Sequence, residues 1–320
     1  MCYAAEMQQG LPTPSTEKCA YFAGYTDAEG SINIRSANHG TTWGATVSFG
    51  QTRPAALYEM HALYGGTLRK VRPARLGWKP QEHWVLQRAS TVICFLQDTL
   101  PYLREKRVQA QVLIDHFSSR MNRAKAEMLR SVLHNEKQRE IEPAQFARSD
   151  LKRTCQLCPR TSRARGLCVY HYQRARLRAG VDFMPQSAKP FAYARAPTPE
   201  ERAYAAGYFD GDGSFDFRAV NGSWYIFITF NQTRPEGVEL LHEIYGGTIR
   251  VCRPATPRRM QLNYRIQRRA AALQFLADIR PYSIERRAEI NLLVNNYYAG
   301  MPDAEALALR AMLKAAQSSS

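Results

Sequence analysis

A chain of 320 residues with 44 Lys and Arg against 28 Asp and Glu carries a formal net charge of +16, which favours a polyanionic partner, nucleic acid ahead of a membrane surface. No apolar run reaches the length of a membrane span, and the 45% hydrophobic content suffices for two ordinary domains or one large one. The seven cysteines, odd in number and with only three clustered, argue for a reducing intracellular compartment and a local metal site over the disulfides of a secreted protein.

Residues 1–16 lack a signal-peptide core and read as a disordered lead-in. A first unit is expected over 17–120. It opens with Tyr21-Phe22-Ala23-Gly24-Tyr25-Thr26-Asp27-Ala28-Glu29-Gly30, an apolar, small-residue helix that ends on acids and a glycine suited to the left-handed position past a helix end. A carboxylate there faces the negative end of the helix dipole, where cations are preferred. Period-2 alternation then predicts a strand through Ile32 and Ile34, and another around Thr46–Gln51. Leu57, Met60 and Leu63 recur at helical spacing between Arg53-Pro54 and Gly65-Gly66. Two more strands (Thr67–Arg72, Glu82–Gln87) and two closing helices, the first around Thr91–Leu100, complete the unit.

Residues 121–197 form an insertion. Its start is charged and helix-prone, with Met128, Leu129 and Leu133 at helical spacing. Cys155, Cys158, Cys168 and His171 then follow in a C-x2-C-x9-C-x2-H pattern, the donor types and spacing of a tetrahedral structural Zn²⁺ site. Arg163, Arg165 and Arg174 surround it, suited to holding phosphates, with a module that only bridges its flanks as the lesser alternative. A Pro/Ala-rich stretch from Met184 to Pro199 reads as a tether.

The first unit then returns over 198–300. Gly24 is matched by Gly207 at an offset of 183, Gln51 by Gln232 at 181, and Pro101 by Pro281 at 180. Residues 301–320 read as a terminal helix and tail. The fold class is therefore α+β: two αββαββα repeats with antiparallel sheets, each covered on one face by helices. Opposite the apolar strand residues lie Ser31, Asn33, Arg35, Thr46, Ser48, Arg69 and Gln87. The second half offers Ser214, Asp216, Arg218, Thr229, Asn231, Arg250, Arg265 and Gln267. Singly, each fits a solvated sheet face; together they are the side chains that hold phosphates and read base edges in double-stranded DNA.

Small residues at one stripe (Ala20, Ala23, Gly24 and Ala203, Ala206, Gly207) let the two repeated helices pack backbone to backbone. Packed in the same direction, they deliver Glu29 and Asp212 to one place, where two carboxylates call for a divalent cation, with Mg²⁺ suited to such hard oxygen donors.

The two motifs, with the repeat around them, resemble the signature of the LAGLIDADG homing endonucleases in their single-chain, two-motif form, over nearly all of both halves. The resemblance implies a monomer with internal pseudo-twofold symmetry and saddle-shaped sheets that cuts a long, imperfectly palindromic DNA site. It implies catalytic metal on Glu29 and Asp212, water-orienting roles for Gln51 and Gln232, and a basic residue at Lys106 and Arg286 that polarises solvent or stabilises charge. Glu29 is longer than Asp212, and Arg286 cannot give up a proton as Lys106 can, so the two sites are not equivalent. The segment from Gly166 to Arg174 resembles small zinc modules attached to phage and intron-encoded nucleases. An RNA-splicing maturase and a DNA-binding regulator that no longer cuts remain alternatives on the same fold.

Overall fold

The computed structural model describes residues 13–37, 42–71, 79–118, 120–139, 154–161, 167–178, 191–252 and 260–319. Residues 1–12 of the expected lead-in, residues 184–190 of the tether, and Arg163 and Arg165 lie outside them. The first half runs α1 (Thr16–Glu29), β1 (Ser31–Ala37), β2 (Thr42–Gln51), α2 (Ala55–Tyr64), β3 (Thr67–Val71), β4 (Gln81–Leu86), α3 (Ala89–Thr99), α4 (Arg107–His116) and α5 (Arg123–Gln138). Two short strands, β5 (Thr154–Cys155) and β6 (Cys158–Thr161), and α6 (Val169–Arg178) form the insertion. The second half repeats the order as α7 (Pro199–Asp212), β7 (Gly213–Val220), β8 (Ser223–Gln232), α8 (Glu236–Tyr245), β9 (Thr248–Cys252), β10 (Gln261–Ile266), α9 (Arg269–Ile279), α10 (Arg287–Asn296) and α11 (Asp303–Ser319).

Each half builds one antiparallel four-stranded sheet, in the orders β1-β2-β4-β3 and β7-β8-β10-β9. Both sheets are open, and neither is closed nor strongly curled, which overturns the saddle shape implied by the resemblance. The ladders on β4 are short: it pairs with β2 and with β3 over five residue pairs each. Twist between strands accumulates with length and strand number, and so short a ladder stores little of it.

A third helix closes each half. Met121, Ala126, Leu129 and Leu133 are buried at and along α5, and Met301, Ala306, Leu309 and Leu313 at and along α11. These pairs keep the offset of 180, so the repeat continues through α5 and α11. Within each half the core is an aromatic stack between the sheet and its helices. Tyr25 lies on Phe49 (5.8 Å between ring centroids) and Phe49 on Trp84 (5.6 Å), mirrored by Tyr208 on Phe230 (5.4 Å) and Phe230 on Tyr264 (6.0 Å). Such offset ring pairs add about 0.5–1.5 kcal/mol each beyond the area they bury.

The glycines after the two motifs correct another expectation. Gly30 and Gly213 are extended (φ −69° and −72°), not left-handed. They are glycine because there is no room for more: a Cβ on Gly30 would lie 2.8 Å from the Thr26 carbonyl oxygen, and one on Gly213 would lie 2.2 Å from the Phe209 ring. The left-handed positions fall at Gly65 and Gly246 (φ 67° and 69°), which end α2 and α8.

Candidate active site

Helices α1 and α7 start from matched caps. Ser15 accepts the Lys18 N–H at 3.2 Å, and Thr198 forms a reciprocal capping box with Glu201. From there they run side by side with backbones in contact. A Cβ on Gly24 would sit 2.1 Å from the Tyr204 carbonyl oxygen, and one on Gly207 would sit 2.0 Å from that of Tyr21. The seam is also locked by exchange across it. The Tyr21 hydroxyl donates to Asp210 at 2.8 Å, and the Tyr204 hydroxyl to Asp27 at 2.9 Å.

The first acid of each motif is spent on the scaffold. Asp27 accepts the backbone N–H groups of Arg104, Glu105 and Lys106 at 2.8, 3.1 and 2.9 Å. Asp210 accepts those of Ile284 and Glu285 at 2.7 and 3.0 Å and the Ser283 hydroxyl at 2.7 Å. Each thereby fixes the turn that carries Lys106 or Arg286.

The last acids differ: at the C-terminal ends of the two helices they stand near enough for Asp212 to act on Glu29. Gly211 makes this possible, since a Cβ there would lie 2.4 Å from that of Ala28 and 3.2 Å from the Glu29 Cγ. Burial pushes the Glu29 carboxyl above its ordinary range, with Asp212 adding to the rise and Gln51 and Lys106 opposing it. Burial likewise raises Asp212, against the Gln232 amide and Lys106. Gln232 donates to Asp212 at 2.8 Å, whereas the buried Gln51 Nε2 has no acceptor within hydrogen-bond geometry. Lys106 donates to the last carbonyls of α1, Thr26 (2.6 Å) and Asp27 (2.7 Å), which answers the negative helix end. Its ammonium also acts on both Glu29 and Asp212.

Arg286 does not mirror it. Its guanidinium lies over the Phe209 ring at 5.2 Å, its Nε is buried without an acceptor, and its charge works on Asp210, Glu289 and Glu285 beside the Arg53 cation. Glu29, Asp212, Gln51, Gln232 and Lys106 thus converge, with Arg286 set apart.

Two buried glutamates join the halves and escaped the sequence reading. Burial and neighbouring Asp27 push Glu105 up to about 8, and it receives the Tyr208 hydroxyl. Glu285, pushed up to about 7 by burial, accepts the Ala56 N–H of α2 at 2.7 Å. Their signal was present: both precede the basic residue of the repeat at an offset of 180.

On the open sheet faces, Arg35, Arg69, Gln87, Arg218, Asn231, Arg250 and Gln267 are exposed, and Ser31, Asn33, Ser48, Thr229 and Arg265 are half-buried. Thr46 lies on the same face but is 3% exposed, with its hydroxyl unpartnered. Several of these side chains are already engaged: Arg218 pairs with Asp216 at 3.1 Å, and Asn263 donates to Asn231 at 2.7 Å.

In the insertion, the ligand atoms of Cys155, Cys158, Cys168 and His171 all lie within 4.8 Å of one another. Cys155 and Cys168 sulfurs stand 3.3 and 3.6 Å from His171 Nδ1, and Cys158 and Cys168 sulfurs 3.7 Å apart. These are close to the edges of a tetrahedron with metal–sulfur bonds of about 2.3 Å. The four residues form a structural metal site. Arg174 donates to the Tyr170 hydroxyl at 3.2 Å, and Arg160 lies over the same ring at 5.9 Å. Zn²⁺ is the proposed occupant, because a borderline-soft ion suits three thiolates and an imidazole. Purified protein is expected to carry one equivalent of zinc. Strong chelation should expose the insertion to protease while the two halves stay folded. Less than about half an equivalent after dialysis would contradict the zinc assignment.

No protein-family profile and no curated protein matches this chain. Solved structures do. The I-SmaMI LAGLIDADG homing endonuclease bound to cleaved DNA is similar over 95% of this chain and 97% of its own, at 15% identity and a TM-score of 0.50. A mutant of I-SmaMI is similar over 95% and 98%, at 15% identity and a TM-score of 0.51. The chain therefore shares the fold of LAGLIDADG homing endonucleases.

Proposed function

We propose that this protein is a site-specific, divalent-metal-dependent endonuclease of double-stranded DNA, acting as a monomer with internal pseudo-symmetry. The observation that carries this reading is the convergence of Glu29 and Asp212. Two half-buried carboxylates lie close enough to act on each other, with one lysine acting on both, and that lysine already serves two helix carbonyls. Such a pair is under-neutralised, and its hard oxygen donors fit Mg²⁺. When bound there, the cation supplies Lewis-acid stabilisation of phosphodiester hydrolysis.

The chain's own groups divide the remaining work. Glu29 and Asp212 hold the metal, one from each half. Gln232 fixes the orientation of the Asp212 carboxylate, and Gln51, beside Glu29, orients water there. Lys106 places a positive charge where negative charge grows on the phosphate. The two open sheet faces, rich in Arg, Asn, Ser, Thr and Gln, occupy successive major grooves, and cleavage falls across the minor groove between them. The resemblance implies short 3′ overhangs. The I-SmaMI structure bound to cleaved DNA has the same fold, which supports this assignment.

Asp212→Asn keeps the size and the Gln232 contact of the side chain but removes one metal-binding charge. Cleavage in Mg²⁺ is expected to fall by at least about 10²-fold, with binding to the same duplex in Ca²⁺ retained. Unchanged cleavage would refute the metal role of Asp212. A protein whose variant and parent both bind and never cut would be a DNA-binding regulator.

A further inference from the structure

The first half has a basic cleft beside its sheet. Helix α5 packs along the edge strand β1 and leaves a cleft of about 510 Å³ between them. Asn33, Arg35, Arg130, Ser131, His134 and Lys137 line it. The single acid in the lining, Glu127, is paired with Arg123 at 2.7 Å, so the cleft is net basic. Arg130 is steadied by the Trp43 ring at 5.9 Å. At the inner end, Lys137 donates to the Asn33 side chain, which in turn donates to Ser31 at 2.7 Å. Lys137 is close enough to Lys106 for the two ammonium groups to repel.

The end of α5 that carries Lys137 is pinned. Arg234, a buried arginine of the second half, donates to the backbone carbonyls of Glu105 and Glu136, and Arg139 pairs with Glu236 at the start of α8. The second half differs at the inner end, although Arg310 stands for Arg130 and Lys314 for His134. At the offset of 183, Asp216 stands for Asn33, and its carboxylate neutralises Arg218 at 3.1 Å. At the offset of 180, Ala311 stands for Ser131 and Gln317 for Lys137.

We propose that the β1–α5 cleft holds a backbone phosphate of bound DNA, with Lys137 as its inner anchor. Asn33 and Arg35 belong both to the DNA-facing side of β1 and to the cleft wall, so the cleft continues that surface past the edge of the sheet. It carries the strand from the groove-facing sheet towards the paired acids. The proposal rests on the reading of DNA as the partner, but not on cleavage.

The test is binding of the full chain to a duplex of unrelated sequence in Ca²⁺ over a series of salt concentrations. A phosphate contact is independent of sequence and contributes about one unit to the slope of log affinity against log salt. Lys137→Gln, which copies the second half, is expected to lower that slope by about one unit, and Lys137→Arg to restore it. Ser131→Glu removes no contact but places a negative charge in the cleft, and it should weaken binding several-fold without shifting the melting temperature. Unchanged slope and affinity in both Lys137→Gln and Ser131→Glu would overturn the proposal. A parent protein that binds duplex but never cuts it would count against the nuclease reading and leave this one standing.

Discussion

Gly207→Ala is expected to unfold the seam between the halves. The added methyl would lie 2.0 Å from the Tyr21 carbonyl oxygen and 2.9 Å from the Tyr25 nitrogen, and both are backbone atoms of a buried helix that cannot swing aside. Relief requires the helices to move apart. That movement would loosen the Tyr21–Asp210 and Tyr204–Asp27 bonds and the contact of Gly211 with Ala28 together. Overpacking alone costs about 1–3 kcal/mol, and a disrupted buried hydrogen bond adds about 1–3 kcal/mol. The combined loss belongs with the largest single-residue effects, at about 4 kcal/mol or more. In thermal unfolding this appears as a fall of about 8 °C or more, or as insoluble protein. Gly44→Ala is the control: nothing lies within 4 Å of its added Cβ, and its stability should stay within about 0.5 kcal/mol of the parent. A Gly207→Ala protein that melts with the parent would show that the seam is looser than described.

Lys106→Met and Arg286→Met are expected to part company, although the two residues occupy the same place in the repeat. The Lys106 ammonium acts on both Glu29 and Asp212, so its loss removes charge stabilisation from the reacting phosphate and should slow cleavage by about 10²-fold or more. The Arg286 guanidinium is held over Phe209 among Asp210, Glu285 and Glu289. Its removal should leave cleavage within about tenfold of the parent while lowering the melting temperature, because it strips charge compensation from buried acids. The same asymmetry predicts that the parent cuts the two strands at unequal rates, so that nicked duplex accumulates before the double-strand break. Equal kinetic losses in the two variants, with no nicked intermediate, would show that the halves are chemically equivalent.

Much of this architecture could be read from the chain because the chain states it twice. The matched Gly24 and Gly207, Gln51 and Gln232, and the acids Glu29 and Asp212 revealed the repeat, the helix seam and the convergence of the acids. Where the two copies differ, sequence was a poorer guide. The sequence marks Arg286 as unable to give up a proton as Lys106 can, but not that its length and planar head settle it on an aromatic ring among other acids. Gly30 and Gly213 looked like helix-ending glycines with positive φ, and only the packing of Thr26 and Phe209 against them shows that space is the constraint. The curvature of the sheets was carried over from the resemblance and failed, since ladder length and twist are not written in any short motif. Helix α5 was assigned to the insertion because its polar face, with Arg130, His134 and Lys137, outweighs its narrow apolar stripe. Zinc-ligand spacing, by contrast, is local, and the four ligands came together as their positions in the sequence foretold.

Cleavage itself remains the most direct measurement. The full chain, incubated with a library of randomised duplexes in Mg²⁺ and followed by sequencing of the ends produced, is expected to yield one recurrent, imperfectly palindromic sequence. Both strands should be cut a few base pairs apart across a minor groove, and the products should vanish with Asp212→Asn. Duplexes that are bound but leave no ends, or ends that survive the loss of Asp212, would contradict an active site shared between the two helices.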